Sequence, residues 1–193
     1  MLTGLILAGG QSRRFGTDKA LFTMPGQKLT NIELTVSRLQ KVCKQVIVAV
    51  NPHNAAAIQH LVANKNVIVL TDLAPYQGQG PLAGLMTVQD YGVRDLVINA
   101  CDYPFLKTNA IELLKKHPNS YLINSNTPHY TLCHLVLKNN NQLTDYFLAG
   151  KRALGPFLKE ICHCLPLYYY GTGSELKNYN YQEDKNEKNV RHD

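Results

Sequence analysis

The chain has 193 residues, 45% of them hydrophobic, with a net charge of +6 and five cysteines. That is enough apolar material for one α/β domain with a real core, which argues against wholesale disorder. A mild basic excess suits anionic small molecules as well as nucleic acid and cannot choose between them. No run of 18 apolar residues exists, so no membrane span is expected.

In chain order, residues 5–8 read as a short buried strand, followed by a Gly-rich basic loop, LAGGQSRRFGTDKA. Ile32, Val36, Leu39 and Cys43 then recur at helical spacing. Residues 45–50 form a continuous apolar run, as expected of a parallel strand covered on both faces. A helix over 55–63 and a strand over 67–70 follow. Pro81 can open a helix that carries Leu82, Leu85 and Met86 on one face. Residues 95–100 make a fourth strand, and Thr108 is the expected N-cap of a helix through Lys116. Beyond it, 121–123 and 131–137 read as strands, 154–162 as a helix and 165–170 as a last strand. Strand and helix in alternation predict an α/β fold: a doubly wound, mostly parallel sheet with helices on both faces. Residues 1–182 are expected to form a single domain, and the charged stretch 183–193 a disordered tail. The cysteines are odd in number and scattered, and Met1-Leu2-Thr3 leads straight into strand-like sequence. A reduced, cytoplasmic setting without a signal peptide is therefore expected. Cys162-His163-Cys164 lacks zinc-knuckle spacing and reads as a half-buried helix end.

In open α/β sheets ligands bind at the carboxyl ends of the strands. Here the first strand ends in the loop with Gly9, Gly10, Arg13, Arg14 and Lys19, the second in Asn51, the third in Asp72 and the fourth in Asp102. Glycines allow backbone N–H groups to approach phosphate, while Arg and Lys neutralise it. Spacing excludes both GxGxxG and GxxxxGK[ST]. Asp102, before Pro104, is placed to hold a hard cation against a bound phosphate, or else merely caps its turn. Asn51 and Asp72 are either turn residues or hydrogen-bonding partners of a base or ribose. GQGPLAG, residues 78–84, reads as a lip leading into a helix N-terminus. His129 and His134 read as ordinary strand and turn residues.

LAGGQSRRFGTDKA resembles the N-terminal signature of the MobA-type nucleotidyltransferases, LAGGxSxRxGxDK. All nine specified residues match between Leu7 and Lys19. NPH, TD, GPLAG and CDYPF follow in the family's order, and the resemblance covers most of residues 3–160. It implies a molybdenum cofactor guanylyltransferase that joins GMP from GTP to the terminal phosphate of molybdopterin and releases pyrophosphate. In that pattern Leu7, Ala8, Gly9 and Gly10 contact GTP through backbone, Lys19 contacts it through its side chain, and Arg14 joins Lys19 in offsetting pyrophosphate charge. Asn51 and Asp72 contact the nucleoside, and Asp102 binds Mg²⁺ and GTP together. Arg14, Lys19 and Asp102 are thus the implied catalytic residues. GTP and molybdopterin are the implied partners, with other molybdenum-cofactor biosynthesis proteins or recipient chaperones beyond them; nucleic acid and membrane are not expected, and a monomer is.

The Gly9-Gly10 pair, where cytidylyl- and sugar-nucleotide-forming relatives usually have Ala-Gly, favours guanine. The C-terminal segment departs from the family's NINTPEDL: Asn178 and Asn180 stand at plausible positions for the pterin, but the Thr-Pro pair is missing. Lys151 and Arg152 are further candidates for the pterin phosphate, or else a solvated helix start. A cytidylyl- or sugar-phosphate nucleotidylyltransferase and a non-catalytic nucleotide-binding homologue remain the alternatives.

Overall fold

A computed structural model describes residues 1–10, 18–139, 141–172 and 174–179. Arg13, Arg14, Asn180 and the expected tail at 183–193 lie outside the described residues. The strands are β1 (Thr3–Ala8), β2 (Gln45–Val50), β3 (Ile68–Thr71), β4 (Asp95–Ala100), β5 (Ser120–Asn124), β6 (Thr127–Val136) and β7 (Leu165–Tyr168). They form one seven-stranded sheet in the order β3-β2-β1-β4-β6-β5-β7, in which only β6 runs antiparallel to its neighbours.

The helices are α1 (Asn31–Gln40), α2 (Ala55–Val62), α3 (Pro81–Asp90), α4 (Thr108–Lys116), α5 (Asn141–Leu148) and α6 (Leu154–Pro156), the last continued by a π-helical turn (Phe157–Ile161). Because side chains alternate along a strand, the apolar runs feed two cores. Ile6, Val46, Val48 and Val97 face α1, α2 and α4. Leu5, Ile47, Leu96 and Ile98 face α3, α5 and α6. That two-sided burial is why the strands read as unbroken apolar runs rather than as alternating ones. The expected doubly wound α/β fold is the one found.

α1 starts with a capping box: the Glu33 amide donates to Thr30 Oγ1, and the Thr30 amide donates back to Glu33 Oε2 at 3.0 Å. Thr108 is the first residue of α4 rather than its cap; Lys107 occupies the cap position, with extended backbone and no side-chain capping hydrogen bond. β6 begins four residues before its expected start. A two-residue turn at Ser125 and Asn126, both at positive φ, joins it to β5 as a hairpin. The pairing of β5 with β6 then skips from Leu122↔His129 to Tyr121↔Cys133, which leaves Thr131 outside that ladder and in the wall of the cleft described below. Cys162 ends the π-turn and His163 takes positive φ, so the Cys-His-Cys stretch is a helix end, with both thiols buried. All five cysteines are free.

Candidate active site

The carboxyl ends of β1, β2, β3 and β4 surround a cleft of about 200 Å³. β1 contributes Leu7, Ala8, Gly9 and Gly10, with Lys19 returning from the loop; β3 contributes Asp72 and β4 Asp102. Gly80, Pro81 and Gly84 of the α3 entrance line it as well. Gly80 stands at φ +67° as the N-cap residue, and Pro81 opens the helix.

Side-chain amides fix both ends of the β1 loop. Asn51 Nδ2 donates to the Gly9 carbonyl at 3.2 Å, and Asn51 Oδ1 accepts from the His53 and Asn54 amides. Asn54 sits where a helix cap is expected but does not cap α2. Its Nδ2 donates instead to the Ala8 carbonyl and to Asp18 Oδ2, both at 2.7 Å. Asn31 Nδ2 donates to the Lys19 carbonyl at 2.9 Å. Asn31 and Asn54 were not among the sequence candidates, since Asn before or at the start of a helix reads as an ordinary cap. A Cβ on Gly9 would stand 2.8 Å from Asp72 Oδ2, so this glycine is what lets the β3 carboxylate lie against the β1 turn.

Asp102 follows β4. Its Oδ2 accepts from Asn178 Nδ2 at 2.7 Å, while its Oδ1 is buried without a hydrogen-bond partner. Burial pushes this carboxyl above its ordinary range; the Lys19 charge and the Asn178 hydrogen bond pull it part of the way back. Asp72 Oδ1 is likewise buried and unpartnered, and burial pushes Asp72 up to about 6. Two buried carboxylate oxygens without donors, on side chains that line one cleft, are the electrostatic signature of a site that receives positive charge. No cluster of three His, Cys, Asp or Glu side chains suited to a metal occurs among the described residues. Asp102 with its free Oδ1 nevertheless fits Mg²⁺, which takes one or two carboxylates and completes its shell with water and phosphate oxygens.

The turn after Asp102 is held from α1. Arg38 Nη1 donates to the Tyr103 carbonyl at 3.1 Å and Nη2 to the Pro104 carbonyl. Arg38 stands on the polar flank of an amphipathic helix, where sequence alone reads a solvated charge. Tyr103 Oη lies 3.2 Å from His129 Nδ1 and 3.5 Å from Asn178 Nδ2. Burial lowers the His129 pKa and, with the Asp102 charge, raises Tyr103 to about 12. Both rings are therefore neutral at physiological pH.

The remaining candidates are dispersed. Arg152 stacks on Phe147, 3.7 Å from the ring centroid, and its Nε donates to Gln79 Oε1 at 2.7 Å, so it braces the lip that leads to Gly80. Lys151 is exposed and stands over Tyr146. Asn178 is brought to Asp102; Arg14 and Asn180 are outside the described residues.

Comparison with known proteins supplies the family. Residues 4–165 match the model of the MobA-like NTP transferase domain. A molybdenum cofactor guanylyltransferase of Haemophilus influenzae is 30% identical over 167 residues, 82% of this chain and 83% of that protein. A probable molybdenum cofactor guanylyltransferase of a Geobacillus species is 34% identical over 119 residues, 61% of this chain and 58% of that protein. Among solved structures, molybdopterin-guanine dinucleotide biosynthesis protein A of Archaeoglobus fulgidus superimposes with a TM-score of 0.71 over 94% of both chains; at 21% identity it speaks to the fold alone. The glycine turn, the strand-end carboxylates and a family match over most of the chain agree: this is a member of the MobA-like NTP transferase family, and a nucleotidyltransferase.

Proposed function

We propose that the chain is a molybdenum cofactor guanylyltransferase, which transfers GMP from GTP to the terminal phosphate of molybdopterin and releases pyrophosphate with Mg²⁺ as cofactor. The observation that carries this reading is Asp102, a strand-end carboxylate with a buried, unpartnered Oδ1 in the field of Lys19, in the same cleft as the glycine turn of the neighbouring β1. Backbone from Leu7 to Gly10 and the Lys19 ammonium bind the triphosphate, with Arg14 offsetting the charge of the leaving pyrophosphate. Asp72 and Asn51 face the nucleoside, Asn51 also holding the turn that receives it. On the pterin side the candidates are Asn180 and Lys151, with Asn178 acting through its hydrogen bond to Asp102 and Arg152 through the lip at Gln79.

In the reaction an oxygen of the pterin phosphate forms a bond to the α-phosphorus as the bond from that phosphorus to the bridging β-oxygen breaks. The electron pair leaves with pyrophosphate. A phosphate nucleophile is anionic near neutral pH, so Tyr103 and His129, both neutral, are not needed as bases. The chain positions the reactants and stabilises charge. Bound at Asp102, Mg²⁺ supplies Lewis-acid stabilisation of the phosphate oxygens. The five free cysteines support a reducing, cytoplasmic setting.

Calorimetric titration with GTP and CTP, with and without Mg²⁺, followed by pyrophosphate release with molybdopterin as acceptor, tests this reading. GTP selectivity and release support it. CTP preference moves the chain to a cytidylyl activity, and binding without release makes it a non-catalytic homologue.

A further inference from the structure

β7 lies at the far edge of the sheet, separated from β4 by β5 and β6, yet ten residues after Tyr169 the backbone has come back to Asp102. The return path is tied down at one buried carboxylate. Glu175, with its side chain only 3% exposed, accepts through Oε1 from the Thr172 amide (3.1 Å), the Thr172 hydroxyl (2.7 Å) and Lys107 Nζ (2.7 Å), and through Oε2 from the Tyr169 hydroxyl (2.5 Å). Lys107 is the cap residue of α4, and the Tyr169 hydroxyl also lies 2.8 Å from Asn109 Oδ1 in the first turn of that helix. The node therefore fastens the chain over the α4 N-terminus. Three and four residues on, Asn178 Nδ2 donates to Asp102 Oδ2 and the Tyr179 amide donates to the Asp102 carbonyl at 3.0 Å.

We propose that Glu175 is a positioning residue of the nucleotidyl-transfer site: its carboxylate ties the 172–179 segment to the α4 N-terminus and so holds Asn178 against the Asp102 carboxylate. The inference rests on the reading of Asp102 as the carboxylate that serves the phosphates. A carboxylate rotates freely about its last torsion, and the Asn178 hydrogen bond to Oδ2 restrains that rotation in a side chain that lines the cleft. Asn178 can do this only while its own backbone is fixed. Between Glu175 and Tyr179 the segment is held by the burial of Leu176 and Tyr179, by the Lys177 amide to Ser174 carbonyl bond, and by the edge contact of Tyr179 with Phe105. Leu176 shares its core with Ala110, Ile111 and Leu114 of α4, and the Glu175 node adds the polar fastening to the N-terminus of that helix. Outer partners of this kind cost about 10- to 100-fold in metal affinity or activity when removed.

The test uses Glu175→Gln, Tyr169→Phe and Asn178→Ala in the full chain, together with the Glu175→Gln/Asn178→Ala pair. Turnover is measured at saturating molybdopterin well below the melting temperature, and hydrogen exchange is followed at the Tyr179 amide. The expected result is a fall in kcat of about 10- to 100-fold for Glu175→Gln and a smaller fall for Tyr169→Phe. The Mg²⁺ concentration for half-maximal rate should rise, GTP affinity should stay within about 3-fold, and Tyr179 exchange should quicken. The double variant should be no worse than the worse single one, because both act through one contact. Should Glu175→Gln fail to fold, Tyr169→Phe carries the test. Wild-type kcat in the folded Glu175 or Tyr169 variants, or independent losses that multiply in the double variant, would overturn the proposal. Asp102→Asn separates the two levels: an inactive Asp102→Asn with active Glu175, Tyr169 and Asn178 variants overturns only the positioning role, whereas a fully active Asp102→Asn overturns the reading of the site beneath it.

Discussion

Gly84, in the GPLAG stretch, lies inside α3, where a glycine ordinarily costs about 1 kcal/mol relative to alanine. On propensity alone Gly84→Ala should stabilise the protein. The packing says the opposite. A Cβ at this position would stand 2.8 Å from Leu7 Cδ2 and 2.9 Å from Ala49 Cβ, on two neighbouring strands of the sheet. Carbon atoms rest about 3.5–4.0 Å apart, so α3 would have to withdraw by roughly 0.6–1 Å. The Leu7 tip can rotate; the Ala49 Cβ is fixed to a strand paired on both sides. Overpacking of this kind costs about 1–3 kcal/mol, and with two contacts the upper half applies. Subtracting the propensity gain leaves a net loss of about 1–2 kcal/mol, or roughly 2–8 °C in melting temperature for a chain of this size. Thermal unfolding followed by circular dichroism reads it directly. Ala49→Gly removes one of the two obstacles, so the double variant should lose less than the two single losses added together. A melting temperature that rises in Gly84→Ala, or strict additivity with Ala49→Gly, would refute the packing argument.

Gly9→Ala would set a Cβ 2.8 Å from Asp72 Oδ2 and displace that carboxylate from the β1 turn; GTP affinity should fall roughly 5- to 150-fold, the equivalent of about 1–3 kcal/mol, as read by calorimetry, and an unchanged affinity would break the link between the glycine and the nucleoside pocket. Lys19→Ala removes a charge-assisted contact typically contributing about 1.5–3 kcal/mol, so GTP should bind roughly 10- to 150-fold more weakly; undiminished binding would count against the loop as the triphosphate site. Asp72 titrates at about 6 when folded against 3.8 as its ordinary value. The folded state therefore holds more protons than the unfolded one between those values, and this group's contribution falls as pH rises through that window. Urea titrations should show Asp72→Asn more stable than the wild type at pH 7.5, by up to about 3 kcal/mol, with the difference fading below about pH 4; a constant difference across pH would show that Asp72 is not strained by burial.

The sheet was legible because its parallel strands are buried on both faces: the runs at 45–50 and 95–100 have the bounds expected of them. Short-range polar chemistry hid the rest. α5 escaped notice because it follows a run of Asn, a weak helix former, and gains its order from Leu143, Tyr146 and Phe147 packing into the second core. Thr127, Pro128 and His129 look like a loop until the turn at Ser125 and Asn126 folds them back on β5. At the site, strand-end residues could be placed by topology, since the ends of parallel strands converge whatever their sequence. What holds them could not. Arg38, Asn54 and Glu175 act across 65, 46 and 68 residues of chain respectively, or through backbone carbonyls, and no local spacing records such a partnership.

The charge on the cleft wall bears on what the cleft can receive. The described lining residues that carry charge are Asp18, Asp72, Asp102 and Lys19, three carboxylates against one ammonium. A like-charge pair about 5 Å apart costs on the order of 3 kcal/mol at the dielectric of a protein surface. Among the described lining residues the balance is thus negative by two charges. Asp18 is partly committed, since its oxygens accept from the Ala20 amide and from Asn54 Nδ2, which spreads its charge into the loop scaffold. Asp72 and Asp102 have no such relief at Oδ1. Both are raised by burial, so each gains when positive charge arrives with the nucleotide. Positive charge arriving at the cleft would relieve the burial cost of both carboxylates, the behaviour expected under the proposed reading of a site that takes its nucleotide together with a divalent cation.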